Sequence, residues 1–527
     1  MKVLVSDVIS QKGIDVLEEN GAEVTYNTQL SYEELLEEIG KYDGIILRSM
    51  TPLNEEVLSH AKNLKVIARA GSGYDNIDVD AASKLGIIVL NTPGQNSISA
   101  AEQTMALMLA ISRNTAQANQ SLHQGVWDRK KYMGVELYEK TLGIIGLGRI
   151  GGLVSQRAKA FDMNIIASDP YIPASRGEKL GVELVELDEL LERSDYITLH
   201  TPLTEETHHI LSTEEFAKMK DGVRVVNVAR GKNVDHKALY EAIKNGKVAA
   251  AGIDVHEEEP LAEDYLLLQL EENVIVAPHL GGTTVEAMDN VSIDAARQML
   301  MVFEKGFAKT PLNIPTLEPE EMNQIRPYFN LAEKLGNFYA GLTDNRIEEV
   351  EVIYTGEITD YDLQPVTTTL LKGLLNPILD DNVNLVNARL LTEERGIKVS
   401  EIKNDDTNVY SSLITLKVKN SEGVRQLSGT VFNKSELRVV EIDGYEIDIV
   451  PKGILLVTSH TDQPGVVGKV GSLLGDNGVN IASLKLGRNK IGGKAIMVLN
   501  IDQEIDNDLK EELLEIDGMA DVNVLTL

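Results

Sequence analysis

The sequence predicts an α/β protein in which two doubly wound parallel-sheet domains are followed by two smaller α+β units. Three observations lead to this fold class. Short apolar runs alternate with helical patterns over the first part of the chain, which is typical of parallel sheets covered by helices on both faces. A glycine-rich turn joins a strand to a helix within that region. Beyond a proline-containing linker at 311–315, amphipathic helices and alternating strand patterns replace the regular alternation.

Length and composition narrow the class of protein. A chain of 527 residues exceeds what one core usually serves, so we expect three or four domains. The absence of cysteine excludes disulfides and thiolate catalysis, and we predict no metal site. A net charge of −32 argues against binding to nucleic acid. Because the sequence shows no secretory signal and no membrane-length apolar run, we expect a cytoplasmic protein with no membrane partner.

The first 97 residues alternate strands and helices, beginning with the apolar pattern of Val3–Ser6. Ligands bind such sheets beyond the carboxyl ends of the strands. Two loops at that edge are rich in polar groups. Arg48 and Ser49 follow the third strand, and Ser72 and Gly73 follow the fourth. These loops are candidates for ligand binding, with a surface salt bridge and a plain turn as the alternatives.

The second sheet centres on Gly146, Gly148 and Gly151, whose G-x-G-x-x-G spacing lies between an apolar strand and a helix. The first glycine permits a tight turn, the second lets the backbone approach a pyrophosphate, and the third lets helix and strand pack closely. The helix N-terminus offers free N–H groups to the phosphates. Asp169 ends the next strand, where a carboxylate binds the ribose hydroxyls and repels a 2′-phosphate. The predicted cofactor is therefore NAD.

Arg230, Glu259 and His279 each follow a later strand of this sheet, so we expect them at the same edge as the nicotinamide. Hydride transfer from an alcohol needs a base for the hydroxyl proton, and histidine can be that base near neutral pH. A neighbouring carboxylate orients the imidazole, and an arginine can hold an α-carboxylate with two hydrogen bonds. The three residues predict an oxidoreductase of 2-hydroxy acids, although a core histidine is the alternative for His279 alone.

The motifs ARAGSGYDNID, LGIIGLGRIG, VNVARG, AGIDVHEEEP and APHLGG together resemble those of the D-2-hydroxyacid dehydrogenases, most closely the D-3-phosphoglycerate dehydrogenases. The resemblance implies that His279 is the acid/base, Glu259 its partner and Arg230 the substrate clamp. One departure is His256, which stands where the family usually has Phe. The implied nucleotide contacts are Gly146, Gly148, Arg149, Ile150, Gly151, Asp169, Thr201, Thr207, Val228, Ala229, Asp254, Gly281 and Gly282. The implied substrate contacts are Arg48, Ser49, Ser72, Gly73, Arg129 and Lys131.

Arg129 and Lys131 belong to a basic arm, which follows Trp127 and in relatives can reach a neighbouring subunit's site. The resemblance also implies a discontinuous first domain, with the substrate in the cleft between the first two domains. The substrate domain would comprise 1–97 and 285–312, and the Rossmann-like NAD domain 98–284. An α+β intervening domain would span 319–450, and a ferredoxin-like ACT domain 453–527.

The last two units are expected to be regulatory. The intervening domain of the family is thought to bind a small anion, for which the basic candidates are Lys372, Arg389, Lys398, Arg425 and Lys434, although scattered basic residues are usually just solvated. The pattern β-α-β-β-α-β of residues 453–527 is ferredoxin-like and resembles an ACT domain, which commonly binds amino acids across a dimer. His460, Asp462 and Asn480 match its ligand positions, and L-serine is the implied effector.

We therefore expect NAD-dependent oxidation of 3-phospho-D-glycerate to 3-phosphohydroxypyruvate by a homo-oligomer, with a tetramer the expected size, and feedback inhibition by L-serine. One alternative is another D-2-hydroxyacid specificity, such as glyoxylate or hydroxypyruvate reduction, which the basic arm and the C-terminal module disfavour. The other is a non-metabolic NAD-sensing binding protein on the same scaffold, which the acidic charge and the ACT-like tail disfavour.

Overall fold

The computed structural model describes residues 1–306, 308–315, 319–343, 345–379, 383–404, 409–433 and 435–527. These residues form sheets of five, seven, six and four strands. The first two sheets are parallel, the third is mixed and the fourth is antiparallel, so the predicted fold class is confirmed. Within the described residues, no helix is long and apolar enough to cross a membrane.

The first sheet has the strand order β2-β1-β3-β4-β5 and is covered by helices on both faces. Its buried apolar strands, such as Gly44–Leu47, read as continuous hydrophobic runs because neither face meets water. The strands are β1 (Lys2–Val5), β2 (Glu23–Tyr26), β3 (Gly44–Leu47), β4 (Val66–Arg69) and β5 (Ile88–Asn91). The helices are α1 (Gln11–Glu19), α2 (Tyr32–Glu38), α3 (Glu55–His60) and α4 (Val79–Lys84).

The second sheet has the order β12-β11-β10-β9-β6-β7-β8. Its strand order reverses between β6 and β9, which places the glycine-rich loop after β6 at the position where such sheets bind ligands. The strands are β6 (Thr141–Ile145), β7 (Asn164–Ser168), β8 (Glu183–Leu184), β9 (Tyr196–Leu199), β10 (Val223–Asn227), β11 (Val248–Ile253) and β12 (Val274–Val276). The helices are α5 (Ser97–Arg113), α6 (Thr115–His123), α7 (Arg149–Lys159), α8 (Ala174–Leu180), α9 (Leu187–Arg193), α10 (Thr213–Lys218) and α11 (His236–Lys244).

The segments before and after the second sheet have features that the sequence pattern alone does not show. The helix α12 (Val285–Lys305) packs on α1 and shares the core of the first sheet. The predicted linker after it adds to the edge of that sheet: the Leu312 N–H donates to the Val89 carbonyl at 2.7 Å. The helical segment that follows β5 is broken into α5 and α6 at Asn114, which adopts φ +52°. Asparagine tolerates this left-handed conformation better than most residues.

The C-terminal units pack against each other. The six-stranded sheet has the order β14-β13-β15-β16-β17-β18, and the four-stranded sheet has the order β20-β21-β19-β22. Phe338 and Leu374 of the first unit share one hydrophobic core with Leu455 and Val498 of the second. The helices are α13 (Pro319–Ala340), α14 (Gln364–Leu375), α15 (Ala388–Glu394), α16 (Val466–Asp476) and α17 (Asn507–Leu514). The strands are β13 (Ile347–Gly356), β14 (Lys398–Asn404), β15 (Ser412–Asn420), β16 (Gly423–Phe432), β17 (Glu436–Ile442), β18 (Tyr445–Ile449), β19 (Ile454–Thr461), β20 (Ile481–Arg488), β21 (Lys494–Ile501) and β22 (Met519–Thr526).

Candidate active site

The glycine-rich loop has the shape that a dinucleotide requires. Gly146 adopts φ +91°, a conformation that side chains rarely tolerate. A Cβ on Gly151 would overlap the Gly146 carbonyl oxygen, so the close approach of α7 to the strand depends on that glycine. A Cβ on Gly148 would meet open space instead. This open side lies at the N-terminus of α7, where backbone N–H groups and the helix dipole favour a pyrophosphate.

Polar groups continue the cofactor crevice on both sides of this loop. The Asp169 carboxylate accepts the Leu147 N–H at 2.9 Å and the Tyr171 N–H at 3.0 Å, which fixes it beside the loop. Arg149 is exposed and Ile150 half-buried at the start of α7. The Thr201 hydroxyl oxygen is buried and has no hydrogen-bond partner among the described residues. The Thr207 hydroxyl donates to the Pro202 carbonyl at 2.7 Å and so shapes the loop after β9. The residues present therefore fit a bound NAD.

His279 and Glu259 form a close pair at the carboxyl edge of the same sheet. The Nδ1–H of His279 donates to Oε2 of Glu259 at 2.7 Å, which leaves Nε2 free for a substrate. The other carboxylate oxygen of Glu259 accepts the His256 N–H at 3.0 Å. Burial favours the neutral acid, but the hydrogen bonds from His279 and His256 outweigh it and hold the pKa of Glu259 below its ordinary value. The carboxylate is thus a stable partner for an imidazolium.

The backbone of the His279 loop is held by Asp254. His279 adopts φ +55°, which is uncommon for a residue with a side chain. The fully buried Asp254 carboxylate accepts the N–H groups of Leu280 at 2.9 Å and Gly281 at 2.7 Å. Asp254 was predicted as a nucleotide contact, whereas in the structure its side chain positions the loop and is closed to solvent. Gly281 packs against Val228, and Gly282 lies close to the Asn96 amide.

Arg230 reaches across to the first domain. Its Nε donates to the Asp75 carboxylate at 2.9 Å, and its Nη1 donates to the Ala229 carbonyl at 2.8 Å. The guanidinium lies directly against the backbone of Gly73, where a Cβ would overlap Nη2. The predicted substrate loop and the predicted clamp are therefore brought together, with one face of the guanidinium fork packed on a bare backbone.

Two further arginines lie near this cleft. Arg48, predicted as a substrate contact, and Arg69 at the end of β4 each have a buried Nε without a partner among the described residues. Burial, together with the positive charges of Arg48 and Arg230, lowers the pKa of Arg69 to about 10. Three guanidinium groups thus share a site, and the carboxylates of Asp7 and Asp75 offset part of their mutual repulsion. Sequence reasoning missed Arg69 as a site residue, although it opens the loop that was singled out.

The remaining residues that were predicted to contact the substrate lie in different parts of the structure. Ser49 is exposed beside Arg48, and the Ser72 hydroxyl donates to the Asn96 side chain at 2.9 Å. Arg129 and Lys131 are exposed on the basic arm, and Lys131 forms an ion pair with Glu272 at 2.8 Å. Because Glu272 lies just before β12, this contact is at the opposite end of that strand from His279. The structure of one chain does not bring Lys131 to its own catalytic pair.

The predicted effector residues are separated within one chain. His460 and Asp462 lie at the end of β19, beside the start of β21, whereas Asn480 precedes β20 at the far end of β21. Seven residue steps along β21 correspond to roughly 23 Å. Asp462 pairs with Arg488 at 2.8 Å, and the Asn480 amide donates to Asp502 at 2.6 Å. One ACT unit therefore cannot place all three around a single amino acid.

The basic residues proposed for the intervening domain do not form one cluster in the structure. Lys372 pairs with Glu333 at 2.9 Å, Arg389 with Glu401 at 3.5 Å and Arg425 with Asp443 at 3.0 Å. Lys398 begins β14, and Lys434 lies outside the described residues. A cavity of about 460 Å³ does lie in this unit, but it is lined by other cations, namely Lys334, Arg438 and Lys452.

Two histidines behind the site predict sensitivity to mild acid. Burial lowers the pKa of His200 to about 3 and that of His236 to about 4. As pH falls below 6.5, the unfolded chain gains protons on these residues while the folded chain does not, so stability falls with pH. For His236, which is 4% exposed, the loss between pH 6.5 and 5 should be about 2 kcal/mol. Thermal midpoints measured from pH 7 to 5 should decline less steeply in His236→Asn, and the exposed His123→Asn should retain the original slope.

Comparisons with known proteins agree with this geometry. Residues 105–281 match the family model for the NAD-binding domain of D-isomer specific 2-hydroxyacid dehydrogenases. Residues 324–443 match the model for the D-3-phosphoglycerate dehydrogenase intervening domain, and residues 453–518 match the model for the ACT domain. D-3-phosphoglycerate dehydrogenases from Archaeoglobus fulgidus and Methanocaldococcus jannaschii are 44% and 45% identical, over the full length of both chains in each case. A D-lactate dehydrogenase structure from Aquifex aeolicus, complexed with NAD and lactic acid, is 30% identical with a TM-score of 0.53, covering 60% of this chain and all of that one.

Fold and site together define an NAD-dependent dehydrogenase of D-2-hydroxy acids. The glycine loop, the imidazole–carboxylate pair and Arg230 all follow strands of one parallel sheet, and two further domains follow. The full-length matches are more specific than this class, and the chain belongs to the D-3-phosphoglycerate dehydrogenase family.

Proposed function

We propose that this chain oxidises 3-phospho-D-glycerate to 3-phosphohydroxypyruvate with NAD, the first step of serine biosynthesis, in the cytoplasm. The observation that carries the proposal is the 2.7 Å His279–Glu259 pair at the carboxyl edge of the sheet that also bears Arg230. The names of the full-length relatives support the same substrate. The glycine loop and Asp169 would hold NAD, which supplies the acceptor for the hydride that leaves C2 of the substrate.

The proton and the carboxylate are handled by this chain's own residues. His279 Nε2 takes the proton of the C2 hydroxyl, and the resulting imidazolium is stabilised by the Glu259 carboxylate on Nδ1. Arg230 binds the substrate carboxylate through its η nitrogens while Asp75 holds Nε. In the reverse direction, the same imidazolium returns its proton to the carbonyl oxygen. Closure of the cleft around these groups excludes water from the reacting atoms.

The phosphate would account for the other cations of the cleft. A phosphoglycerate carries a carboxylate and a doubly charged phosphate, and Arg230 satisfies only the first of them. Arg48 and Arg69 lie next to it, and the Nε of each has no hydrogen-bond partner among the described residues. Phosphate is a favoured partner of arginine because the planar fork matches its oxygens. A substrate without a phosphate would leave these buried donors unsatisfied, so we infer discrimination against glyoxylate and lactate.

The direct test is NADH formation from 3-phosphoglycerate, compared with D-lactate and D-glycerate, and NADH consumption with glyoxylate. The proposal expects the phosphorylated substrate to have by far the highest kcat/KM. A chain that reduced glyoxylate faster than it used phosphoglycerate would instead support the reductase alternative. A chain that bound NAD and turned over none of these substrates would support a non-metabolic NAD-binding role.

We further propose a homotetramer inhibited by L-serine, with each serine site formed by two ACT units. Asn480 lies too far from His460 and Asp462 of its own chain, and the edge strand β20 exposes Leu484 and Leu486. Pairing of two such edges would bring Asn480 to the partner's β19. A second interface would use the basic arm, where Trp127 is 78% exposed and Arg129 and Lys131 could reach the partner's cleft.

This arrangement predicts that Asn480→Ala weakens serine inhibition without changing the uninhibited rate. The amide would otherwise hydrogen-bond the effector, and its loss should raise the inhibitory serine concentration by about tenfold. Inhibition curves for NADH formation provide the measurement. Asn477→Ala, which alters an exposed amide at the end of α16, is the matched control. Unchanged serine sensitivity in Asn480→Ala would show that the effector pocket lies elsewhere.

For the intervening domain, we propose that the small anion binds in the cavity lined by Lys334, Arg438 and Lys452 rather than at the candidates named from sequence. Arg438 is already paired with Glu436 and Asp448, so the two lysines supply the uncompensated charge. The cavity lies where this unit joins the ACT domain, at Pro451–Lys452, and an anion there would influence the relation between the two.

A further inference from the structure

Three connected side chains, two of them buried and one half-buried, lie behind the catalytic pair. His256 and His236 are 6% and 4% exposed, and the phenol oxygen of Tyr265 lies between their rings. That oxygen is 3.2 Å from Nδ1 of His256 and 2.7 Å from Nδ1 of His236. Nε2 of His256 is 2.9 Å from the Ala277 carbonyl oxygen. The mechanism derived above uses none of these three side chains.

His256 contacts both loops that carry the catalytic pair. Its backbone N–H donates to the Glu259 oxygen that faces away from His279. Its ring contacts the Ala277 carbonyl, which also accepts the His279 N–H at 3.0 Å. The two loops follow different strands, so no local turn fixes the distance between them. A displacement of the His256 ring would therefore alter the relative position of Glu259 and His279.

The hydrogen-bond partners determine which atom donates and which accepts at each contact among these three side chains. The Ala277 carbonyl can only accept, so Nε2 of His256 carries a proton and, in the neutral ring, Nδ1 is an acceptor. Tyr265 has one proton to donate, which then goes to His256. The second contact of the phenol oxygen requires an N–H from Nδ1 of His236. Every contact in the chain is satisfied in this single direction, from His236 to the Ala277 carbonyl.

The charged groups around the chain favour the same arrangement. The Glu257 carboxylate accepts the backbone N–H of His236 at 2.9 Å and lies 3.6 Å from Nε2 of His209. Asp235 precedes His236, and Glu259 contacts the backbone of the other histidine. Burial, with the neighbouring histidines, lowers the pKa of His236 to about 4, so its ring is neutral at physiological pH. Tyr265 keeps its proton because burial and the two glutamates raise its pKa.

We propose that the chain His256–Tyr265–His236 positions Glu259 against His279, and that His256 and Tyr265 are positioning residues for catalysis. The inference rests on the proposed function. A misplacement of about 1 Å between catalytic groups can cost up to about 100-fold in rate. Loss of contacts that only limit such movement should reduce the rate by a smaller factor, about tenfold in kcat.

Four single substitutions and one double variant test the inference. His256→Phe removes both ring contacts and keeps the backbone N–H, so kcat should fall about tenfold while the KM for NAD changes less than twofold. Tyr265→Phe should lower kcat by about threefold, and adding it to His256→Phe should cause no further loss, because residues of one network are non-additive. His256→Gln can still donate to Ala277 and should recover most of the activity. Tyr240→Phe, on the same helix as His236, should match the wild-type enzyme.

The pH dependence of kcat/KM distinguishes a positioning role of His256 from a mere loss of folded enzyme in the variant. A looser Glu259 stabilises the imidazolium less, so the acid limb of kcat/KM should move to lower pH in His256→Phe. A reduced fraction of folded enzyme would lower the profile without moving it. Unchanged kcat and pH profile in His256→Phe, or full additivity with Tyr265→Phe, would overturn the inference.

A readout without turnover distinguishes this outcome from failure of the proposed function. In ¹⁵N spectra of histidine-labelled protein, one ring should show a slowly exchanging Nε2–H signal that disappears in His256→Phe and persists in Tyr240→Phe. A wild-type enzyme that is inactive on phosphoglycerate but shows this signal contradicts only the proposed function. An active enzyme that lacks the signal contradicts only the inference.

Discussion

His279→Ala should lower turnover of phosphoglycerate by at least about 100-fold while NAD affinity stays nearly unchanged. A positioned acid–base group contributes about 100- to 10,000-fold, and His279 is the residue proposed for that role. The proposed NAD site, at the glycine loop and Asp169, is not touched by the substitution. The measurement is kcat for NADH formation, with NAD binding followed by fluorescence titration of NADH.

The matched control for this substitution is His123→Ala, because His123 is exposed at the end of α6. Glu259→Gln gives a second test, since the amide keeps the geometry but cannot stabilise an imidazolium. It should lower kcat less than His279→Ala and alter its pH dependence. A fully active His279→Ala enzyme would remove the imidazole from the mechanism.

Much of this site follows from sequence because parallel sheets place all their strand ends at one edge. Gly146, Asp169, Arg230, Glu259 and His279 are far apart in the chain, yet each lies in a loop that follows a strand of the same sheet. Once the strands are recognised, the topology alone predicts that these residues lie near one another, and no individual contact has to be known. The regular period of the ferredoxin-like unit made the order of its elements predictable in the same way.

The contacts that cross between separate elements could not be predicted. Nothing in the local pattern indicates that Asp75 pairs with Arg230, or that the Asp254 carboxylate holds the His279 loop. Arg69 at the end of a buried strand reads as an ordinary strand terminus until Arg48 and Arg230 are seen beside it. The same limit applies to the proposed serine site, because the motif does not reveal that Asn480 lies at the opposite end of the sheet from His460 and Asp462.

The second large effect is expected at the clamp, where Arg230→Lys should lower kcat/KM for phosphoglycerate by more than about 100-fold. Lysine keeps the charge but lacks the planar fork that binds a carboxylate through two nitrogens. Each charge-assisted hydrogen bond contributes about 1.5–3 kcal/mol, so the loss of two bonds amounts to at least about 3 kcal/mol. It also leaves Asp75 without its 2.9 Å partner and the two domains without their ion pair.

Arg193→Lys is the control for this substitution, because Arg193 forms exposed ion pairs with Glu183 and Glu189 far from the cleft. Gly73→Ala tests the same geometry without altering any charge. Its Cβ would overlap Nη2 of Arg230, so the clamp must move and the KM for phosphoglycerate should rise while the KM for NAD is unaffected. If Arg230→Lys and Gly73→Ala both kept kcat/KM within threefold of the wild-type value, the substrate carboxylate would have to bind elsewhere in the cleft, with Arg48 and Arg69 as the remaining candidates.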